Sequence, residues 1–465
     1  MNRSIFLLLV SALAAGAQPI DRTRAPETPP IPAYKLPPVY ETKLPNGMAV
    51  MLVEDSRFPL VSLRLSFLAG SKFDPADMPG LAEATAALLT EGTKTRSARQ
   101  ISEEVDAIGG SLNGATGAEG LVLAGSALSE HTATLVALAA DAARNATFPQ
   151  DEVNLHKQNR LQNLMAQRAE PGFLAAEKMA AVVYGSSPYA HIAPTPASIG
   201  KLAPEVLAKY RDTWLVPNNA TLILIGNLPA RDELMKSIAA QFGSWQQKAL
   251  PAAPKVEPPA PKRQIVLVDR PGSVQADIHV GRLAPTRTSP DYFPLEVGTT
   301  ALGGGANSRM FRNIREKEGF AYDAHSEYDT HRDAADFEAV TEVRNEVIEP
   351  ALKAVLAELD QIAQTPMGAA ELTNTKNYLA GMYLLQLETQ GGLASQLNTI
   401  KTLGLPNDYL ETYTTRIRSV EPDAVLAAAK KYIAPEQAAI VVVGDASKIG
   451  DALRKLGDVT VAKAE

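Results

Sequence analysis

The chain of 465 residues contains no cysteine. Cysteine nucleophiles, disulfide redox chemistry and zinc sites built on thiolates are therefore excluded, and stability must come from packed cores. The six histidines include no pair spaced four residues apart, so two imidazoles cannot meet on one helix face to bind a metal. We interpret these histidines as surface or hydrogen-bonded residues.

Several motifs that identify enzymes are also missing. The chain has no phosphate-binding loop ending in Gly-Lys-Ser/Thr, no Gly-x-Ser-x-Gly nucleophile turn and no dinucleotide fingerprint. Its formal net charge of −7 lacks the basic excess that a nucleic-acid partner requires. After the first residues no apolar run reaches the roughly 18 residues of a spanning helix, so we expect no membrane span.

The N-terminus has the pattern of a secretory signal peptide. Arg3 precedes an apolar run at residues 5–14, and the small residues 15–17 form a cleavage site. The pattern predicts a signal peptide over residues 1–17, cleavage before Gln18, and a periplasmic or extracellular location.

Two proline-rich stretches divide the rest of the chain. Residues 18–38 are predicted to form an extended N-terminal arm and residues 246–263 a linker, because proline at this density precludes helices and interior strands. The two halves, 39–245 and 264–465, each end with a helix, a proline-bearing turn, an apolar strand and Gly-Asn or Gly-Asp. This repetition indicates duplication of one unit.

Each half begins with strands and continues with helices. The strands alternate apolar and polar residues, which predicts one face on the core and one toward water. Strands followed by runs of helices predict an α+β fold with two homologous halves, each an antiparallel-rich sheet with helices packed on it. Strands are expected at 48–56, 60–70, 111–129, 264–270, 276–284 and 320–343, and helices at 80–90, 151–168, 293–300 and 346–364.

One segment, residues 302–326, has the composition of a binding site. A helix carries Arg315 near its end, a glycine breaks that helix, and Tyr322 follows on a strand. A guanidinium offers five donors and a tyrosine hydroxyl one more, so the pair can grip a peptide carbonyl or a carboxylate. The alternative is an arginine in a surface ion pair beside a half-buried tyrosine.

This segment resembles the signature of the pitrilysin family of zinc metallopeptidases, which includes the mitochondrial processing peptidase and insulin-degrading enzymes. The segments that begin at Leu44 (LPNGMAVMLVED), Phe148 (FPQDEV) and Tyr184 (YGSSPYAHIAPTPASIGKL) resemble sequences of the same family. The resemblance covers Pro37 to the C-terminus and implies a clamshell-like pair of halves. It further implies that Arg315, six intervening residues and Tyr322 form the family's pair of substrate contacts.

The glycines Gly303, Gly304 and Gly305 precede this pair. Their resemblance to a loop of the processing peptidase implies that they contact substrate. Alternatively they only make a tight turn, as glycine readily does.

Active members of the family carry H-x-x-E-H on a helix, with two zinc ligands and the residue that activates the metal's water. In "GLAEATAALLTEGT", residues 80–93, the three motif positions fall on Glu83, Ala86 and Ala87. The third ligand, a glutamate about 75 residues further on, corresponds to Gln162 or Asn163. The resemblance therefore implies no catalytic residue of its own and no metal bound by this chain.

Two hypotheses follow from this pattern. In the first, the chain is a catalytically silent subunit that pairs with a homologous zinc-bearing peptidase and supplies Arg315 and Tyr322 to its peptide substrate. In the second, it is a peptide-binding or assembly scaffold with no protease role. An active enzyme with an unrecognised site is a third, weaker option, because the sequence offers no triad or paired histidines to build it.

Overall fold

The computed structural model describes residues 34–463. The predicted signal peptide, residues 1–17, and residues 18–33 of the proline-rich arm lie outside the described residues. The described part belongs to one compact unit, so the two halves predicted from the sequence are packed together.

The first half places its strands and helices in the order predicted from the sequence. Helix α1 (Leu81–Leu88) begins after Gly80, whose φ of 90° lies in the left-handed region that favours glycine. Helix α2 (Ala98–Ala107) begins with a capping box in which the Ser97 side chain accepts from the Gln100 amide. The strands are β1 (Val39–Lys43), β2 (Ala49–Glu54), β3 (Leu60–Phe67), β4 (Ser111–Thr116), β5 (Leu121–Leu128) and β6 (Ala220–Gly226). The helices are α1 (Leu81–Leu88), α2 (Ala98–Ala107), α3 (Thr132–Asn145), α4 (Gln150–Ala169), α5 (Pro171–Tyr184), α6 (Pro196–Gly200), α7 (Pro204–Trp214) and α8 (Arg231–Phe242).

The second half repeats this arrangement, with one π-helical segment at Phe311–Lys317. Its strands are β7 (Gln264–Asp269), β8 (Gln275–Ala284), β9 (Ala321–Thr330), β10 (Ala335–Arg344), β11 (Ala439–Gly444) and β12 (Val459–Lys463). Its helices are α9 (Tyr292–Gly303), α10 (Ile348–Gln364), α11 (Ala369–Leu387), α12 (Gln390–Leu403), α13 (Tyr409–Arg418), α14 (Pro422–Tyr432) and α15 (Ala446–Arg454).

Within the described residues the strands form two six-stranded sheets, ordered β1-β2-β6-β3-β5-β4 and β12-β7-β11-β8-β10-β9. Strands β2, β6, β3, β5 and β4 of the first sheet correspond in turn to strands β7, β11, β8, β10 and β9 of the second. In each sheet most neighbouring strands pair antiparallel, and the parallel pairs lie toward the β1 or β12 edge. The predicted α+β fold with two antiparallel-rich halves is confirmed.

The central strands are covered on both faces, which corrects the expectation of one water-facing side. Alternate residues of β2 and β6, such as Leu52 and Leu224, pack in the core of the first half. Their neighbours Val53 and Ile225 pack with helices α11 to α13 of the second half. Because successive strand residues point to opposite faces, one apolar run supplies two different cores.

The second sheet receives a helix of the first half in return. Val441 and Val443 of β11 pack with Ala175 and Met179 of helix α5. The intervening Val442 packs in the core of the second half. Each half therefore covers one face of the other half's sheet.

The proline-rich stretch between the halves contains no helix or strand from the end of α8 to the start of β7. This stretch is hydrogen-bonded to the first half at Lys248. The Asn218 side-chain amide donates to the Lys248 carbonyl at 2.8 Å, and the Lys248 amide donates back to the Asn218 side chain at 3.1 Å. No helix among the described residues is both long and apolar enough to cross a lipid bilayer.

The exchange of helices predicts where stability is concentrated. Met179 of α5 is fully buried against the second sheet. We expect Met179→Ala to lower the free energy of unfolding by about 2–5 kcal/mol, because it leaves a cavity between the halves. Urea unfolding followed by circular dichroism measures this change.

The matched control is Met165→Ala on the neighbouring helix α4, where the side chain is 67% exposed. It should change the free energy of unfolding by less than about 0.5 kcal/mol. Equal effects of the two substitutions would contradict a stabilising role for the α5 contact.

Candidate functional site

Helix α1 is held in place by a half-buried carboxylate that precedes it. The two oxygens of Asp74 accept hydrogen bonds from the Gly80 and Ala82 amides, each at 2.8 Å. Burial raises the pKa of Asp74 to about 7, while both amide donors act in the opposite direction by favouring the carboxylate. Gly80 also lies against Pro194, so the start of α1 is fixed from two sides.

Glu83, at the first motif position, is engaged by an arginine of helix α4. The Arg160 Nε lies 2.8 Å from one carboxylate oxygen, and its Nη2 donates to the other at 3.3 Å. His156, one turn earlier on α4, lines the same small space. Burial lowers the pKa of His156, and the Arg160 charge lowers it further while Glu83 raises it. A guanidinium has no lone pair to offer a metal. Glu83 and Arg160 therefore form an ion pair at this position instead of a set of metal ligands.

Ala86 and Ala87 carry no donor atoms beyond the backbone. Ala86 is fully buried, and its carbonyl lies against Gly114 of strand β4, where an added Cβ would come within 1.9 Å of the carbonyl oxygen. The helix therefore lies directly on the strand. Ala87 is exposed and presents only a methyl group.

The position expected for the third ligand faces away from helix α1. Gln162 and Asn163 are both exposed. The buried Val153 and Leu164 mark the inner face of α4, and Arg160 lies on that face because it is seven residues after the first and four before the second. This helical period was the signal by which the sequence could have identified Arg160.

These residues do not fit a catalytic zinc ion, which takes three protein ligands. One carboxylate is already paired with a guanidinium, two positions are alanine, and the amide side chains point to solvent. Between residues 34 and 463, no three histidine, aspartate or glutamate side chains are grouped closely enough to hold a metal ion.

Arg315 and Tyr322 are brought together by the break between the π-helical segment and strand β9. Gly319 turns the chain with a φ of 64°. The Arg315 guanidinium lies 4.5 Å from the centroid of the Phe311 ring and 4.6 Å from that of Tyr322. Such stacking fixes the guanidinium plane by cation–π attraction. Tyr322 is 83% exposed, and β9 is the edge strand of its sheet.

The three glycines before this segment have different environments. Gly303 ends helix α9 against strand β9, and a Cβ there would lie 2.0 Å from the Ser326 amide nitrogen. A Cβ on Gly304 would meet Thr300 at 2.8 Å. Gly305 is exposed and has no atom within 4 Å of the place of a Cβ. Close packing thus explains Gly303 and Gly304, and Gly305 alone of the three is open to a ligand.

Two family models match the chain one after the other. The model described as insulinase, peptidase family M16, matches residues 49–193. The model described as peptidase M16 inactive domain matches residues 201–379. The first match contains the motif helix, and the second contains Arg315 and Tyr322.

Curated relatives and solved structures agree with these matches. A Streptomyces coelicolor protein named an uncharacterized zinc protease is 24% identical, over 89% of this chain and 92% of its own length. A Mycobacterium tuberculosis protein of the same description is 25% identical, over 90% and 96%. A Pseudomonas fluorescens structure described as a peptidase M16 inactive domain superposes with a TM-score of 0.81 at 27% identity, covering 88% of this chain and 98% of that one. A Helicobacter pylori protease also gives a TM-score of 0.81, at 18% identity, covering 88% of this chain and all of that one.

The close contact of α1 with β4 predicts a steric effect. We expect Gly114→Ala to destabilise the fold by about 1–3 kcal/mol, because the new methyl group would displace the backbone of the motif helix. Thermal unfolding measures the change. Gly117→Ala, just after the same strand and with no atom within 4 Å of the new Cβ, is the matched control and should be nearly neutral. A neutral Gly114→Ala would contradict this packing.

Proposed function

Because the chain belongs to peptidase family M16, we propose that it is the catalytically silent subunit of an exported, heteromeric zinc metallopeptidase. In this proposal a homologous partner carries the zinc site, and the present chain binds the peptide. The observation that carries the proposal is the contrast between a motif helix without a set of metal ligands and an unpaired, half-buried arginine beside an exposed tyrosine.

The motif helix supports a silent role through what replaces the ligands. Glu83 is neutralised by Arg160, and Ala86 is sealed against strand β4. An ion pair and a buried methyl group complete the packing of this region without a metal, so the fold does not need one here. The matched model of the second half is itself described as inactive.

Arg315 supports a binding role because its donors are unused. No hydrogen bond or ion pair within residues 34–463 involves the Arg315 guanidinium, although two aromatic rings fix its plane. The Tyr322 hydroxyl has no hydrogen-bond partner in the same part of the chain, and its ring is exposed. A held guanidinium with free N–H groups matches a peptide carbonyl or carboxylate, since little side-chain freedom is lost on binding.

The proposal requires a partner chain that carries the zinc ligands. Peptide hydrolysis at zinc requires a metal-bound water, and the ligands for that metal have to come from another chain. The present chain would orient the peptide through Arg315 and Tyr322, with Gly305 available for a close backbone contact. The substrate class is an unfolded peptide, because an extended chain exposes the carbonyl groups that such donors bind.

The first test combines reconstitution with a substitution. Purified alone, the chain should bind no stoichiometric zinc and cleave no peptide, and cleavage should appear with the co-purified partner. Arg315→Ala should then lower kcat/KM of the complex by about 10–150-fold, the loss of a charged hydrogen bond of about 1.5–3 kcal/mol. Stability should change by less than about 1 kcal/mol, because a partly exposed stacking contact contributes little.

The matched control is Arg454→Ala in helix α15, which lies by the opposite edge of the same sheet and pairs with the exposed Asp451. It should leave the rate unchanged. Zinc-dependent hydrolysis by this chain alone would sink the proposal, and a metal-free co-purified complex would favour the assembly scaffold instead.

Export is tested separately. We expect the mature protein to begin at Gln18, because the small residues 15–17 precede that position. Intact-mass spectrometry of the protein from its native host measures the start. A chain that retains residues 1–17 and remains in the cytoplasmic fraction would contradict export while leaving the peptide-binding role open.

A further inference from the structure

Strand β9 contains one residue more than β10 over the stretch where Tyr322 lies. The residues of the two strands pair one for one as far as Ala324, which lies opposite Thr341. Pairing resumes at Ala321, opposite Val343, so two residues of β9 face a single residue of β10, and Tyr322 is the first of the two. This irregularity is a β-bulge, which bends its strand and changes the direction of a side chain.

The bulge decides on which side of the sheet Tyr322 lies. Ala324 and Ser326 are buried on the face covered by helix α9, where the Ser326 hydroxyl donates to the Thr299 carbonyl at 2.8 Å. Successive side chains alternate between faces, so an unbroken ladder would place Tyr322 on this same inner face. Instead Ala321 packs against the core of the second half, and Tyr322 is 83% exposed.

A buried threonine of β10 holds the bulge. The Thr341 hydroxyl donates to the Asp323 carbonyl at 2.8 Å, and Thr341 is 2% exposed. This hydrogen bond ties the irregular stretch of β9 to a regular stretch of β10. The Asp323 side chain is engaged along its own strand, since its carboxylate lies 2.7 Å from the His325 Nδ1. The path of the backbone next to Tyr322 therefore depends on the Thr341 hydroxyl.

Outside the core, the Tyr322 ring contacts the Arg315 guanidinium. The guanidinium lies 4.6 Å from the centroid of that ring and 4.5 Å from the centroid of the Phe311 ring. Phe311 and Arg315 belong to the π-helical segment, whereas Tyr322 belongs to β9. If the Tyr322 ring returned to the inner face of the sheet, the guanidinium would keep only one of its two rings.

We propose that Thr341 is a positioning residue of the peptide-binding site: its hydroxyl holds the bulge that turns the Tyr322 ring onto the Arg315 guanidinium. The effect on peptide cleavage rests on the proposed function, whereas the effect on the ring rests on the described contacts alone. Thr341 is buried and acts through the Asp323 backbone, so it touches no peptide itself. Bulges also protect sheet edges from pairing with other chains, and β9 is an edge strand. The two roles differ in what the hydroxyl does to the ring.

The orientation of the ring is tested on the full mature chain alone, without the partner. The chain is labelled with 3-fluorotyrosine, and fluorine NMR assigns the Tyr322 signal by its loss in Tyr322→Phe. Arg315→Ala should shift this signal, because the guanidinium leaves the face of the ring. Thr341→Val keeps the shape of the side chain without the hydroxyl and should shift the signal too. Thr341→Ser keeps the hydroxyl and should leave the signal at its original position.

The matched control is Thr299→Val in helix α9. Thr299 is also buried beside strand β9, but its hydroxyl has no hydrogen-bond partner within the described residues. Its substitution should leave the Tyr322 signal in place. Thr341→Ala repeats the test with a smaller side chain. An unmoved signal in Arg315→Ala or Thr341→Val, or an equal shift in Thr299→Val or Thr341→Ser, would overturn the proposal.

Cleavage by the complex with the partner then measures the consequence for the site. Thr341→Val should lower kcat/KM about three- to tenfold, the range for one neutral hydrogen bond, and Tyr322→Ala should lower it at least as much. When Tyr322 is already alanine, Thr341→Val should have no further effect, because it acts through that ring. An independent structural effect would instead add to the first.

Failure of this proposal can be told apart from failure of the proposed function. If Arg315→Ala and Tyr322→Ala both leave kcat/KM of the complex unchanged, the proposed function fails, and with it the role of Thr341 in peptide binding. If both lower kcat/KM but Thr341→Val does not, the positioning role alone fails. The positioning role also fails if Thr341→Val has the same effect with and without the Tyr322 ring.

Discussion

The exchange of helices between the two halves is the constraint on which the rest of the structure depends. Helix α5 of the first half covers one face of the second sheet, and helices α11 to α13 of the second half cover one face of the first. The central strands can therefore be apolar on both faces without exposing either to water. The same packing joins the two halves of a chain that has no disulfides.

Charged groups at this boundary are paired with partners in the fold. Lys72, which is 2% exposed, is paired with Glu119 and Asp333, and Glu119 also accepts from the Tyr189 hydroxyl. Desolvation of such a buried lysine is offset only by good partners, and here it has them from both halves. The carboxyl groups on β9 and β10 also have partners, since Glu338 contacts His279, Glu327 contacts His325 and Asp336 accepts from the Tyr184 hydroxyl.

The two places that resemble a peptidase active site differ in whether their charged groups have partners. At the motif helix Arg160 is paired with Glu83, and Asp74 accepts hydrogen bonds from the start of the helix. At the start of β9 the Arg315 guanidinium is fixed by two rings but leaves its donors free. This contrast between a paired carboxylate and a guanidinium with free donors is the basis of the role proposed above for the chain.

The sequence by itself determined the α+β fold, the duplicated halves, the family and the presence of alanine, which has no donor side chain, at positions 86 and 87. These follow from local patterns: strand alternation, helix period and motif spacing. The tertiary structure alone decided that Arg160 pairs with Glu83 of helix α1 and that both faces of the central strands are covered. Those features depend on contacts between residues distant in the chain, and a strand's own residues do not specify which helix or strand will pack against it.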